Sequence, residues 1–422
     1  MLNIKRIREE KLFIIEKLNR RNKDFTPLVE KVLHLDEKKR SLQKELDQIL
    51  SESKNISEEI HKCFQSGDSQ KAEALKTKSK TLKETLKASN TLFDKVDEEL
   101  TQVLYEIPNI TNDLVKTGKD ESDNEIVFEY KRDYQDKEYS KPHWEIAENR
   151  GIISFKLGAK ITGTGFPVYV GDGAKLQRAL INYFLDKNIK AQYQEIQVPH
   201  LINESSGYGT GQLPDKENQM YHLAIDNLFL IPTSEVPVTN IYRDVLLKEE
   251  HLPIKHTSYT PCFRRESGSY GRDVKGLNRL HQFDKVEIVR IENPKDSYRA
   301  LDEMVEHVKS ILKELNLPFR ILRLCTGDTG FTSSITYDFE VFSVVQKKWL
   351  EVSSVSNFET FQANRLKLRF KDKKGDIKLC HTLNGSSLAL PRIVASLLEY
   401  YQAPDGIKIP EVLIPYMGVE KI

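Results

Sequence analysis

The chain of 422 residues is 30% charged and 39% apolar at a net charge of +1, a balance that supports a sizeable core and excludes both a disordered polyelectrolyte and a uniformly basic nucleic-acid binder. Any site for a polyanion must therefore come from a local patch. The four cysteines, Cys63, Cys262, Cys325 and Cys380, stand far apart without a CxxC pair, which argues against a zinc site or a disulfide framework and fits a reducing cytosol.

The N-terminal stretch MLNIKRIREEKLF is charged throughout and lacks an apolar stretch of signal-peptide length. No later run approaches the roughly 20 apolar residues that span a bilayer. A cytoplasmic protein without membrane contact is expected.

Up to residue 105 there is one proline, Pro27, and one glycine, Gly67. Leu28, Val32, Leu35, Leu42, Leu46, Ile49, Ile56, Ile60 and Phe64 recur at steps of three, four and seven. Leu75, Leu82, Leu86, Ser89, Phe93, Val96, Leu100 and Val103 repeat the pattern after the polar turn QSGDSQ. Such stripes keep one face of each helix against a partner. Two of them joined by a short turn make an antiparallel helical hairpin, with helices of about 36 residues and a length of about 55 Å at 1.5 Å per residue. Long coiled coils commonly serve as spacers or dimerisation elements. Here Lys76, Lys80, Lys83 and Lys87 also recur along one flank, and residues 54–87 hold eight lysines against five acids. These lysines suit either a solvated flank or contact with phosphates.

Residues 106–122 cluster Pro, Asn, Asp and Gly and read as a linker. Residues 123–422 mix strands and helices. EIVFEY reads as a strand, GAKLQRALINYFLDKN as an amphipathic helix, and YQEIQVPHLI and LFLIPTSEVPVTN as strand-like around prolines. YRALDEMVEHVKSILKEL is a helix, TYDFEVFSVVQKKWLEVSSVSNFE supplies two strands, and NGSSLALPRIVASLLEYYQ is a helix entered through a Gly-Ser turn. Strands adjoin one another without regular βαβ alternation, which favours an antiparallel α+β domain. No GxGxxG or GxxxxGK[ST] sequence marks a Rossmann or P-loop site.

Three stretches carry candidate chemistry. CFRRESGSYGRDVKGLNRLHQFDKVEIV, Cys262 to Val289, begins and ends like a strand. Its long loop concentrates Arg264, Arg265, Arg272, Lys275, Arg279 and Lys285, with Gly268, Gly271 and Gly276. Arginine forks suit phosphate oxygens, and Phe283 suits stacking on a base. A solvated hairpin tip is the plain alternative. In LEVSSVSNFE, Glu351 and Ser354 offer oxygens of the kind that hold Mg²⁺ on a nucleotide, or else form an edge strand. In the third stretch Arg392 opens an otherwise apolar helix, where a cation opposes the helix dipole; a bound polyphosphate would explain it, and a surface arginine snorkelling to solvent is the plain alternative.

The loop stretch resembles the second signature of the class II aminoacyl-tRNA synthetases. NGSSLALPRIVASLLEYY resembles the third and YQEIQVPHLI the first. With IPTSEVPVTN, LCTGDTGFTSSITYDFEV, EVSSVSNFETFQANR, PEVLIPYMG and the helical hairpin, the chain is similar over its whole length to the seryl-tRNA synthetase family.

The resemblance implies an N-terminal tRNA-binding domain (1–105) and a catalytic class II domain (123–422), the latter an antiparallel sheet of six to seven strands flanked by helices. It implies ATP as a substrate, Mg²⁺, no zinc, and a homodimer with Pro199 at its interface. Carried over residue by residue, Arg264 holds the α-phosphate, Glu266 the adenine side, and Arg279 and Arg392 the γ-phosphate end. Phe283 stacks under adenine, with Arg265, Val352 and Ser353 also at the nucleotide. Glu351 and Ser354 are the Mg²⁺ ligands. For L-serine, Thr233, Ser234 and Glu235 lie near the amino group, Glu287 accepts from the amino group or hydroxyl, and Thr382, Asn384 and Ser386 close the pocket. Lys76, Lys80, Lys83 and Lys87 are the residues expected on the long variable arm of tRNA(Ser), and tRNA(Sec) is a second expected partner where it exists.

The departures from the family pattern are few: Arg265 (commonly Ser), Ala191-Gln192 (a glycine before the aromatic), Val355 (commonly Cys) and Asn364 (commonly Arg). Two other readings are a class II relative that loads a carrier protein and a non-catalytic coiled-coil protein. The tRNA-reading hairpin argues against the first, and the intact Arg264, Glu287, Glu351 and Arg392 argue against the second.

Overall fold

The computed structural model describes residues 1–131, 141–267 and 275–422. It divides into two compact units, one of residues 1–19 and 23–108, the other of 20–22 and 109–422.

In the first unit, α1 (Ile4–Glu9) and α2 (Lys11–Asn19) precede α3 (Thr26–Ser66) and α4 (Ser69–Glu106). Pro27 sits in the first turn of α3, where a missing N–H costs nothing. Gly67 ends the helix in the left-handed region at φ 77°, and the Asp68 side chain caps α4 by accepting from Lys71 N at 3.1 Å. The two-residue turn makes the helices 41 and 38 residues long, slightly longer than the spacing predicts. The buried stripe of α3 runs through Val29, Val32, Leu35, Leu42, Leu46, Ile49, Ile56 and Cys63. At its ends Val29 and Cys63 therefore replace Leu28 and Phe64. Phe64 is 57% exposed and instead receives the Lys76 ammonium 5.1 Å above its ring.

In the second unit, eight strands of the described residues form one sheet. They are β1 (Glu125–Tyr130), β2 (Gln194–Glu195), β3 (Ile254–Phe263), β4 (Gln282–Glu292), β5 (Phe319–Arg323), β6 (Ile335–Ser343), β7 (Lys348–Glu359) and β8 (His381–Ala389). Their order is β1-β5-β6-β7-β8-β4-β3-β2. All neighbours are antiparallel except β2 with β3. The helices that bear on the site are α5 (His143–Asn149), α6 (Asp172–Lys190), α7 (Glu235–Asn240), α8 (Ser297–Glu314), α9 (Thr360–Leu366) and α10 (Leu390–Tyr400). Leu180 and Phe184 of α6, Met304 and Val308 of α8, and Ile393 and Leu397 of α10 share one core with Val286 and Ile288 of β4. Side chains alternate across a strand, so the odd-numbered Phe283, Lys285 and Glu287 are left on the opposite face for chemistry.

Three local expectations change. EVPVTN is not strand-like but forms α7, because Pro237 falls in its first turn, where proline is tolerated. The Asn-Gly-Ser-Ser of the third signature is not a turn but the interior of β8, and the helix starts only at Leu390. YQEIQVPHLI keeps just two residues of strand at β2, with another strand beginning at Leu201. Pro199 cannot donate to a ladder, and it falls between them.

Candidate active site

The β3–β4 hairpin closes its ladder at Phe263 opposite Gln282. The flanking residues then wall a cleft of about 110 Å³ whose lining includes Arg264, Glu266, Arg279, Phe283, Glu351 and Arg392. The Arg264 guanidinium lies 5.2 Å from the Phe283 ring centroid, a cation–π pairing. Arg279 donates to Glu266 at 3.1 Å. Arg392 donates through Nε to the Asn278 carbonyl at 3.0 Å and through an amino group to the Glu351 carbonyl at 2.7 Å. Arg265 is not brought into this lining and is exposed. Gly268, Gly271 and Arg272 lie outside the described residues, and Gly276 is described at φ 69°.

Glu351 and Ser354 should face opposite sides of a regular strand, being three apart. A bulge in β7 prevents this. Glu351 pairs with Glu340 and Ser353 with the adjacent Phe339, leaving Val352 as the extra residue. Val352 belongs to the core, Ser353 pairs opposite core residue Phe339, and Glu351 and Ser354 come to one face. Behind them Asp338, opposite Ser354, takes a hydrogen bond from its hydroxyl. Burial, with Glu351 adding repulsion, pushes the Asp338 carboxyl well above the usual carboxylate range. One carboxylate and a hydroxyl whose hydrogen is engaged behind it are hard oxygen donors. They fit Mg²⁺, which takes few protein ligands and completes its shell from phosphate and water.

A second, deeper cluster holds two carboxylates. Glu287 is 1% and Glu235 6% exposed. Glu287 pairs with Lys285 at 2.5 Å, accepts from the Thr233 hydroxyl at 2.9 Å and from the Asn384 amide at 3.3 Å. Glu235 accepts from the Gln362 amide and from Asn384, each at 2.7 Å. Thr382 donates to Gln362 at 2.7 Å. Burial first, and then the neighbouring Glu287, raise the Glu235 carboxyl to about 7. Two carboxylates with one lysine leave a site short of positive charge, which an ammonium would supply. Ser234 lies beside them fully buried with its hydroxyl unpartnered. Ser386 is buried on β8, and its carbonyl accepts from the Ser353 hydroxyl at 2.5 Å.

Three participants stand outside the expected serine site, although Lys285 is among the loop cations named above. Lys285 is two residues from both Phe283 and Glu287, so the strand period already placed it on the site face. Gln362 of α9 joins Glu235 to Thr382 from 127 residues beyond Glu235, and no local signal marks it. Asp338 is visible only through the register of β6 on β7. Of the departures, Gln192 adopts φ 68°. This is the left-handed conformation that a glycine before Tyr193 would take without strain. Val355 is fully buried and covers Gly385, where a Cβ would meet it at 3.0 Å.

Elsewhere, Lys76, Lys80, Lys83 and Lys87 are all exposed on α4. Lys76 is tied to Glu73 at 3.2 Å as well as to Phe64, whereas among the described residues no ion pair engages Lys80, Lys83 or Lys87. Pro199 is exposed, as is Leu201.

Residues 1–111 match the family described as "Seryl-tRNA synthetase N-terminal domain", and residues 221–401 match "tRNA synthetase class II core domain (G, H, P, S and T)". A serine–tRNA ligase of Salinibacter ruber is 45% identical over 432 aligned residues, covering all of this chain and 99% of that one. Among solved structures, seryl-tRNA synthetase from Pyrococcus horikoshii complexed with ATP superposes with a TM-score of 0.91 at 30% identity, over 100% of this chain and 99% of that one. The cytoplasmic serine–tRNA ligase of Naegleria fowleri in complex with AMP gives 0.86 at 29% identity, over 100% and 98%. Full-length similarity at this level accounts together for the helical hairpin, the arginine-walled cleft and the twin buried carboxylates: the chain belongs to the seryl-tRNA synthetase family.

Proposed function

We propose that this chain is a serine–tRNA ligase. It activates L-serine with ATP, releasing pyrophosphate, and passes the seryl group to the 3′ end of tRNA(Ser). The observation that carries this reading is the adjacency, on one face of one sheet, of the cationic cleft and the buried Glu235–Glu287 pair. A serine carboxylate oxygen attacks the α-phosphorus, and the bond to the bridging oxygen of pyrophosphate breaks. The 3′-terminal hydroxyl then attacks the seryl carbonyl and AMP leaves. Arg264, Arg279 and Arg392 bring two anions together and stabilise the charge that develops. Phe283 takes the adenine, with Glu266 at its side. Glu351 and Ser354 would hold Mg²⁺, which supplies charge neutralisation on the phosphates.

Glu235 and Glu287 take the serine ammonium and hydroxyl, with Thr233, Thr382, Asn384 and Ser386 around them. The test is serine-dependent exchange of pyrophosphate into ATP, followed by charging of tRNA. No exchange with serine, or equal exchange with threonine, overturns the reading.

The Glu235 carboxyl, raised to about 7, loses its negative charge as pH falls through that value. KM for serine is therefore expected to rise on acidification through about pH 7 while KM for ATP stays flat. Glu235→Gln should remove that dependence and leave KM for serine high throughout. A serine KM that is flat in the parent protein contradicts this role.

The exposed α4 flank supports a role for Lys80, Lys83 and Lys87, with Lys76, in holding tRNA phosphates. Reversing Lys80, Lys83 and Lys87 to glutamate should lower kcat/KM for tRNA by about 10²-fold and flatten its salt dependence, with pyrophosphate exchange unaffected. Equal losses in both assays would refute a separate tRNA-binding arm. The exposed Pro199 and Leu201 beside the β2 sheet edge support a homodimer through this face. Among the described residues no helix is long and apolar enough to cross a membrane. The proposed activity, which needs tRNA and ATP, is consistent with a cytoplasmic location.

A further inference from the structure

The β3–β4 loop returns to the sheet through residues 275–281, and a buried side-chain network stands behind it. His143, the first residue of α5, has no exposed surface, and Glu399 near the end of α10 is 2% exposed. The Leu277 backbone N–H donates to His143 Nε2 at 2.9 Å. A backbone N–H can only donate, so that nitrogen carries no hydrogen, and Nδ1 donates to Glu399 at 2.9 Å. The other Glu399 oxygen accepts from the Ser343 hydroxyl at 2.5 Å. Ser343 in turn accepts from the backbone of Gln346 at 3.1 Å, whose side chain accepts from Asn278 at 2.8 Å.

The two residues before Leu277 are also fitted closely to α5. Gly276 leaves no room for a side chain, since a Cβ there would stand 2.3 Å from His143 Nε2. The Lys275 ammonium lies 4.7 Å from the Trp144 ring centroid. On the cleft side, the carbonyl of Asn278 receives Arg392 Nε, and Arg279 is the next residue. Arg392 and Glu399 are seven apart on α10, two turns on one face. The helix therefore grips the segment at one end through Arg392 and at the other through His143.

We propose that His143 is a positioning residue for the nucleotide cleft. Its Nε2, oriented by Glu399 and Ser343, fixes the Leu277 N–H and thereby the Asn278 carbonyl that aims Arg392 and the backbone that carries Arg279. This rests on the cleft being the ATP site of the proposed activity.

Two substitutions separate this role from general support of the fold. A glutamine amide reaches the place of Nε2 and can accept from Leu277, while abandoning Nδ1. An asparagine amide overlaps Nδ1 and can serve Glu399, while leaving Leu277 unpartnered. In the full-length protein, His143→Asn is expected to weaken ATP binding, read by calorimetry without serine, about tenfold. KM for ATP should rise in parallel and KM for serine should stay unchanged. His143→Gln should bind ATP within about twofold of the parent. The opposite ranking, a joint loss of ATP and serine affinity, or no change in either variant overturns the proposal. Gly276→Ala attacks the same contact from the loop side without leaving a buried charge unpaired, and serves if the His143 variants do not fold. It should weaken ATP binding and spare KM for serine, and unchanged ATP binding overturns the proposal. Absence of serine-dependent exchange in the parent protein would instead count against the proposed activity, because ATP binding is measured separately.

Discussion

Glu287→Gln is expected to lower kcat/KM for serine in pyrophosphate exchange by about 10³-fold or more and to collapse the preference for serine over alanine. The carboxylate accepts from Thr233 and Asn384 and faces Lys285 at 2.5 Å, all below the surface. A site built around a buried acceptor rejects a ligand that cannot satisfy it, and alanine lacks the hydroxyl. An amide keeps the shape but removes the charge. It also removes the anion in contact with the buried Lys285 ammonium, leaving only Glu235 nearby, at a cost of up to about 3–5 kcal/mol. The variant should therefore also melt earlier. Glu287→Asp separates the two effects, because it keeps the charge for Lys285 and shortens the reach to substrate. Its Tm should lie nearer the parent's, while its serine kcat/KM should remain depressed at least about tenfold. If serine and alanine lose the same factor in Glu287→Gln, the residue does not read the hydroxyl.

Arg392→Lys is expected to reduce kcat/KM for ATP by about 10²-fold with little change in KM for serine. Two of the guanidinium's five N–H donors are spent on the carbonyls of Asn278 and Glu351. These bonds hold the planar group rigid and leave the others for phosphate oxygens. Glu351 Oε2 is 3.8 Å away, so the arginine and the proposed cation ligand are set side by side. A lysine preserves the charge but replaces the fork with a single point, which cannot hold both carbonyls and a phosphate in fixed geometry. Steady-state kinetics with each substrate varied in turn would decide this, and a wild-type KM for ATP in Arg392→Lys would show that charge alone suffices.

Much of this was open to a reading of residues because it depends on local periodicity. The heptad steps foretold the α3–α4 hairpin, with one-residue errors at its ends, Leu28 for Val29 and Phe64 for Cys63. Once β4 is known to be a strand, its period of two puts Phe283, Lys285 and Glu287 on one face. Proline and glycine misled where their usual meaning was overridden. Pro237 sits inside a helix because it occupies the first turn. The glycine of NGSS sits inside a strand because Val355 packs over it. The named roles rested on resemblance to a family, since charge and spacing alone left the loop as open to a solvated tip as to a nucleotide.

The sequence by itself determined the helical hairpin and the antiparallel α+β class, because those follow from patterns a few residues wide. Only the tertiary structure decided which ionisable groups meet at the site. Strand register and a one-residue bulge bring Glu351 and Ser354 to one face and set Asp338 behind them. The approach of α7, α9 and β8 to β4 places Glu235, Gln362 and Asn384 around Glu287. The packing of α5 against α10 sets His143 behind the loop. These contacts join residues tens to hundreds of positions apart, and they form only when the sheet's core-facing side is buried, which no local pattern specifies.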